Sequence, residues 1–576
     1  MFRLARINTV VFKSLNVFHS PRPFFSVSTT RSLQLSRRTL SSTVDSHPDF
    51  FEYTSGRWVY NDPLRHKERE LVFNLDGLCR LAAESANQGP TDVVGISKLA
   101  EGGFNRTFVI ALRDGQRVVA RIPYPMTVPN YYAVASEVAT IEYQRSCGIP
   151  VPEIYGYSAE SDNVAGTPYI FMEFVYGPKL GEVWTSLGDE EVISVMRQLT
   201  RLESRMMAQS FPAGGSLYFS KDLEKVAPGL GVPLEDKRFC VGPDTKYSLW
   251  YGKRAGLDVN RGPYDSAEAA LAAAAQKEIA YLKHFGKPLL PLRRERRPSY
   301  KFQQQSPLEH VQNLERYLSI TSSLLPKDPA LSRFYMRHPD LHPNNIFVSW
   351  SPGSDCKIIN VFDWQHTSIL PMFLLAGIPQ RLQNHADNVS QSMTLPCRPD
   401  NLDEMSEAQR DHEEYRYRCR LVHYHYVTST MEYNPLHYAA FTDRLYALRG
   451  RLFRYAGGPW EGDPFDLKAA LIEATNNWEE LAGRGVACPL KFDAKDLDET
   501  ALQNQELNKV EWGFELLQSQ VGVAEDGWVA VEDYNRAMTI LKEWKEKGLA
   551  MSESAEEREE IEAHWPWADM DEEMYM

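Results

Sequence analysis

The sequence predicts an α+β fold of two lobes, a small β-rich N-terminal lobe and a large helical C-terminal lobe. Three observations carry that expectation. Runs rich in β-branched and aromatic residues cluster between residues 95 and 175. Stretches of helical periodicity dominate from residue 189 onward. Among them, one polar loop and two short hydrophobic strands bring an acid, an amide and a second acid close together in sequence. At 576 residues the chain has room for about two to four domain-sized units. Its 43% apolar and 24% charged residues match an ordinary globular core, which excludes disordered and fibrous classes.

The N-terminal stretch stands apart from the rest. Arg3, Arg6, Lys13, Arg22, Arg31, Arg37 and Arg38 all precede the first carboxylate, Asp45. Leu4, Ile7, Val11, Leu15 and Phe18 recur at helical spacing, and serine and threonine dominate up to Thr43. An amphipathic, arginine-rich, acid-free leader over residues 1–44 reads as a mitochondrial transit peptide, with a mature chain beginning near Ser41 and residing in the matrix. A disordered basic tail is the plainer alternative. No run of 18 apolar residues occurs, so no transmembrane segment is expected. The net charge of −14 argues against nucleic acid as a partner. Seven dispersed cysteines without a C-x-x-C pair point to reduced thiols, not to disulfides or zinc.

The N-terminal lobe is expected over residues 50–177. GISKLAEGGFNRTFVIALRDGQRVVARIP (95–123) reads as three strands, with Asp114-Gly115 as a hairpin turn. VASEVATIEYQRSCG (134–148) reads as a helix stopped by Gly148, and TPYIFMEFV contains another buried strand. The C-terminal lobe is expected over 178–510, with helices at 189–209, 266–285 and 307–325 and an irregular, glycine- and aromatic-rich insert at 211–264. Residues 511–576 form a helical, acidic segment whose end reads as a solvated helix and tail.

Three groups of residues carry chemistry. Gly102 and Gly103, between two predicted strands, let a backbone approach a phosphate without Cβ interference, although a GG pair is by itself also a plain hairpin turn. Arg121, late in its strand, is followed on the next helix by Glu137, a carboxylate able to set its rotamer. In RHPDLHPNNIFVSW, Asp340 and Asn345 share one loop, and Asp363 ends the next hydrophobic strand. Phosphoryl transfer to a hydroxyl needs a carboxylate at the acceptor oxygen and hard oxygen ligands for Mg²⁺, which these three residue types supply. His342 and His366 read as loop-packing histidines, and Glu203 to Met207 as an ordinary helical face.

Through EGGFNRTF, VVARI, Glu137, YIFMEFV, HPDLHPNN and VFDW, the chain resembles the aminoglycoside-phosphotransferase and protein-kinase-like superfamily over residues 95–385. The leader, GGSLYF, VGPD and RGPY add a resemblance to a fungal mitochondrial group. The resemblance implies a bilobal protein-kinase-like fold, ATP and Mg²⁺ as cofactors, and a small-molecule substrate of unknown identity. It implies Asp340 as catalytic base, Asn345 and Asp363 as Mg²⁺ ligands, and Gly102, Gly103 and Asn105 as the phosphate-covering turn. Arg121 would stand where lysine is usual, paired with Glu137, and the backbone from Glu173 to Val175 would receive adenine. His338 would brace the loop. Three departures stand out: Pro339 in place of glycine or arginine, Arg121 for lysine, and Trp364-Gln365 after Asp363. The rival expectation is a catalytically inactive kinase-fold binding or scaffold protein in mitochondria; neither the acceptor nor the oligomeric state can be read from the sequence.

Overall fold

A computed structural model describes residues 48–576; the predicted leader lies outside the described residues. The N-terminal lobe is built on a five-stranded antiparallel sheet. Its spatial order is Val93–Glu101, Asn105–Leu112, Arg117–Pro123, Tyr169–Glu173 and Ile154–Ser158. The three strands expected at 95–123 are present, and the turn between the second and third closes through Leu112 N–H to the Gln116 carbonyl at 2.9 Å.

Strand alternation decides which residues reach the site. Phe108, Ile110, Leu112, Val118, Ala120 and Ile122 face one side, where they pack with Leu78, Ala82 and Ala83 of the helix Leu75–Ser85. The odd-numbered residues of the Arg117–Pro123 strand face the other side. Val119 packs there with Val134 and Val138 of the helix Asn130–Ser146. Arg121 shares the face of Val119, which aims it at that helix. The helix is buried on nearly every side, because the insert covers it with Leu217 against Ala139 and Tyr218 against Ala135.

The C-terminal lobe packs Ala267–Phe285, Pro307–Leu318, Tyr446–Gly457 and Phe465–Asn476 around Leu271, Leu314, Tyr317, Leu452, Trp460 and Leu471. A second core joins Asp189–Met206 and the long helix Glu407–Tyr433 through Val195, Leu199, Leu421 and Tyr426. None of the described helices is long and apolar enough to cross a membrane. The seven cysteines are all free.

Three expectations are corrected. The insert is not irregular: Ser216–Phe219, Phe239–Gly242 and Val232–Pro233 form a three-stranded antiparallel sheet with Phe239–Gly242 in the middle. Its strands are two to four residues long, too short to show period-2 alternation. Nor is the acidic C-terminal end a solvated tail. Trp565, Trp567, Glu572 and Tyr575 are buried, and a core of Val59, Leu517, Val521, Val529 and the two tryptophans joins both ends of the described chain. The helix Ala494–Val521 also runs straight through residue 510, where a boundary was expected.

The same joint contains a two-stranded ladder that pairs Gly56 with Ala530, Arg57 with Val529 and Trp58 with Trp528. Here glycine is a steric requirement, since a Cβ on Gly56 would lie 2.2 Å from the Trp528 indole nitrogen. Gly56→Ala is expected to destabilise the protein by about 1–3 kcal/mol through overpacking, read as a lower urea midpoint. An unchanged midpoint would remove the ladder from the account of stability.

Candidate phosphotransfer site

The catalytic-loop candidate starts from a buried anchor. The strand Phe334–Met336 pairs with Ile369–Pro371, and the next residue, Arg337, turns back into the C-terminal lobe. Its guanidinium meets Glu203 at 2.7 Å and the carbonyls of Leu375 and Gly377 at 2.9 and 2.8 Å, while the Tyr426 hydroxyl donates to Glu203 at 2.7 Å. Glu203 is 1% exposed, so reading it as part of an ordinary helical face is corrected. A charge on a helix looks solvated in sequence until its partner, here 134 residues away, is known.

His338 is buried and edge-on to Trp364. Its Nδ1 accepts the Asp340 N–H at 3.1 Å, so the ring proton sits on Nε2 and is donated to the Phe362 carbonyl at 3.0 Å. Burial pushes its pKa down to about 4, so the neutral tautomer does both tasks. His342 also bonds through both ring nitrogens. It caps the 3₁₀ turn Pro343–Asn345 by accepting the Asn344 N–H on Nδ1 at 3.1 Å, which leaves Nε2–H facing the Asp340 carboxylate at 3.2 Å. The hydrogen bond from His342 holds the Asp340 carboxyl below the usual carboxylate range, against partial burial. The carboxylate itself remains 67% exposed.

The next hairpin explains the spacing between the amide and the second acid. Ile346–Ser349 pairs with Lys357–Val361 so that Ile346 faces Val361, and the Phe362 N–H donates to the Asn345 carbonyl at 3.1 Å. Asn345 and Asp363 therefore emerge at the same end of one ladder. The Asn345 Nδ2 donates to the Asp340 carbonyl at 2.9 Å, which orients the amide and leaves its oxygen as the free acceptor. Asp363 has φ +70°, an uncommon backbone for a residue with a Cβ.

Arg121 connects these pieces to the N-terminal lobe. Its guanidinium lies 2.7 Å from Glu137, 2.5 Å from Asp363 and 3.2 Å from the Gln365 amide oxygen. The Glu137 contact is a close ion pair and not an aligned hydrogen bond. One amide atom of Asn105 lies 2.6 Å from Gln365, and taken as oxygen it accepts from Arg121 Nε at 3.1 Å and Nη2 at 2.8 Å. Burial pushes the Glu137 carboxyl up to about 7, with Arg121 pulling the other way. Burial also opposes the charge on Asp363, but Arg121 outweighs it and holds that carboxyl below the usual range.

Residues 95–373 match the sequence profile of the phosphotransferase enzyme family. The matched segment includes all but the first two residues of the five-stranded sheet, with Arg121, Glu137 and the whole loop from His338 to Asp363. Among similar proteins, a subtelomeric hrmA-associated cluster protein of Aspergillus fumigatus is 29% identical, over 83% of this chain and 97% of its own. Altered inheritance of mitochondria protein 9, mitochondrial, of Yarrowia lipolytica is 24% identical, over 85% and 87%. This is the fungal group that the leader, GGSLYF, VGPD and RGPY pointed to. The solved streptomycin–ATP ternary complex of APH(2'')-IIa is 11% identical, covers 67% of this chain and 92% of its own, and superposes with a TM-score of 0.31.

Within this matched segment, most residues singled out from sequence come together. Gly102 and Gly103 lie in the turn between the first two strands, where the Gly102 N–H donates to the Asn105 carbonyl at 2.9 Å. A Cβ on Gly102 would meet nothing nearer than 3.7 Å, and one on Gly103 nothing within 4 Å, so the protein's own packing does not require glycine at either position. Phe104, at the tip, rests against His366 and Tyr247 with ring centroids 5.3 and 5.6 Å apart. Asn105 is buried and engaged by Arg121 and Gln365 rather than facing outward. Glu173 closes its strand opposite Val118, and the chain continues through Val175 to Pro178, whose carbonyl accepts the Val348 N–H of the Ile346–Val361 hairpin at 3.0 Å.

His342 and Gln365 are the contributors that sequence reasoning missed. A histidine directly before Pro343, at the start of a short helical turn, is a legible capping signal. Gln365 offers no comparable signal. Glu203→Ala would leave Arg337 buried without its carboxylate, and a loss of about 3–5 kcal/mol is expected in denaturant unfolding. A loss below about 1 kcal/mol would show that the pair does not anchor the loop.

Proposed function

We propose that the protein transfers the γ-phosphoryl group of ATP to a hydroxyl of a small molecule, with Mg²⁺, inside mitochondria. The observation that carries this reading is the meeting of Asp340, Asn345 and Asp363 at one end of a single hairpin, with Arg121 alongside. The match of residues 95–373 to the phosphotransferase enzyme family supports it. The mitochondrial names of the relatives, and their association with mitochondrial inheritance, support the location and a role in mitochondrial maintenance. The basic leader is consistent with import to the matrix.

The donor set suits Mg²⁺. Asp363 offers one carboxylate and Asn345 one neutral oxygen, and among the described residues no group of three or more His, Cys, Asp or Glu forms an all-protein cage. Mg²⁺ is commonly held by one or two carboxylates, with waters and substrate phosphates completing its shell. When bound, it would neutralise charge on the phosphates. Asp340 is ionised and exposed, and His342 restricts its swing, so it orients the acceptor hydroxyl and takes its proton as the oxygen attacks phosphorus. The bond from the γ-phosphorus to the bridging oxygen breaks, and ADP leaves. The Glu173–Val175 backbone would receive adenine, and Gly102 and Gly103 would cover the phosphates.

Asp363→Ala is expected to weaken Mg-ATP binding by removing the charged ligand. Titration calorimetry checks this, and an unchanged Mg²⁺ dependence of nucleotide affinity in a folded variant would refute the ligand assignment. Asp340→Asn keeps shape and hydrogen bonding, so ATP affinity should survive while transfer falls by roughly 10²–10⁴-fold. The assay is ATP turnover with mitochondrial metabolite extracts, alongside complementation in cells that depend on the protein. Full rescue by both Asp340→Asn and Asp340→Ala would replace the enzyme with a kinase-fold scaffold.

A further inference from the structure

The residue immediately before the glycine pair, Glu101, has a fully buried side chain. Its Oε2 accepts the N–H groups of Thr54 and Ser55 at 2.8 and 2.9 Å and the Ser55 hydroxyl at 2.8 Å. Its Oε1 accepts from Lys98 at 2.8 Å and Arg106 at 3.1 Å. Arg106, also buried, donates onward to the carbonyls of Phe50 and Arg69. The base of the glycine turn is thus fastened to residues 50–69, which precede the sheet in sequence.

That segment is in turn held by the far end of the chain. One residue after Ser55 the ladder with Trp528–Ala530 begins. Beyond it, the Asn61 amide donates to Glu572 at 2.7 Å and to the Met570 carbonyl at 3.0 Å, and accepts the Met570 N–H at 2.9 Å. Arg65 pairs with the same Glu572 at 2.5 Å. The C-terminal segment is itself anchored to the helical lobe. Arg294 donates to the carbonyls of Trp565 and Asp569 at 2.5 and 3.0 Å, and the Tyr575 hydroxyl to the Leu290 carbonyl at 2.9 Å. A set of polar contacts, exposed at Thr54 and Ser55 and partly or fully buried beyond, therefore runs from Glu101, through residues 54–65 and 528–572, to Arg294 in the other lobe.

We propose that Glu101 is a positioning residue for the glycine turn, and that the C-terminal segment sets where that turn stands through its clasp on residues 54–65. Residues 528–576 lie outside the family-matched segment, yet in this arrangement they govern how firmly the phosphate-covering turn is held. The consequence for nucleotide rests on the reading above; the mechanical coupling does not. No contact in the set touches Asp340, Asn345 or Asp363, so the clasp acts on nucleotide retention and not on proton transfer.

Amide hydrogen exchange on the full-length protein tests the coupling without any ligand. Glu572→Ala combined with Asn61→Ala should speed exchange at 56–58 and 528–530. It should also speed exchange across 101–106 by about tenfold or more, with the helix Ala267–Phe285 unchanged. Glu572→Gln, which keeps an oxygen for Asn61, should fall between this pair and wild type. If the double variant loosens the whole protein, Glu101→Gln provides the reading: faster exchange at 101–106 and, reciprocally, at 54–58. Exchange at 101–106 that stays at the wild-type rate while 56–58 opens would overturn the proposal, as would an unmoved 54–58 in Glu101→Gln. The Mg-ATP dissociation constant, measured on the same proteins, should rise with the exchange rate at 101–106. Coupled exchange in a protein that binds no Mg-ATP would uphold the clasp and count against the nucleotide reading alone.

Discussion

One guanidinium holds the site together. Arg121 leaves its strand between a carboxylate of the adjacent helix and one from the other lobe, and the amides of Asn105 and Gln365 fill its remaining directions. A buried ion pair contributes little net stability, because desolvation offsets most of the attraction. What it contributes is geometry. Without the arginine, burial would favour the neutral form of Glu137, and neither it nor Asp363 would have a partner to fix its position. The strand, the helix, Asn105 and the end of the hairpin thus all converge on one side chain.

The loop beside it divides its work between two histidines. His338 fixes the backbone of Asp340, and His342 meets its carboxylate. In each, Nδ1 accepts a backbone N–H, so the tautomer follows from local structure. Pro339 and Pro343 stiffen the same stretch by restricting φ at two of its positions. An exposed acid on a flexible loop would sample many rotamers. Here the backbone is bound from inside and the side chain from one flank, which leaves one oxygen edge turned to solvent.

Much of this was legible in the sequence because it is local or periodic. Alternation in RVVARI places Arg121 with Val119, and the run from His338 to Asp363 contains the loop, the turn and the hairpin within 26 residues. The insert sheet escaped because its strands are shorter than the pattern that reveals strands. Glu203, Glu101 and the C-terminal end escaped for another reason. Each is a charged or acidic feature whose burial depends on a partner far away in sequence, and composition alone marks such residues as solvated. Trp565 and Trp567 were the available hint, since two tryptophans are a large apolar surface to leave in water.

The ladder at Gly56 has a consequence in time. The Tyr53 hydroxyl and the Trp528 indole that meet beside it lie 475 residues apart. A chain made from its N-terminus presents Tyr53 and Trp58 first, and the residues that cover them almost last. The entropy of closing so long a loop grows only with the logarithm of its length, so the joint is thermodynamically inexpensive, but no contact across it can form early. Through most of synthesis two large aromatic side chains lack their final partners. A nascent chain carrying a completed sheet and helical lobe would still display that apolar seam, a surface that a chaperone could recognise until the last strand arrives.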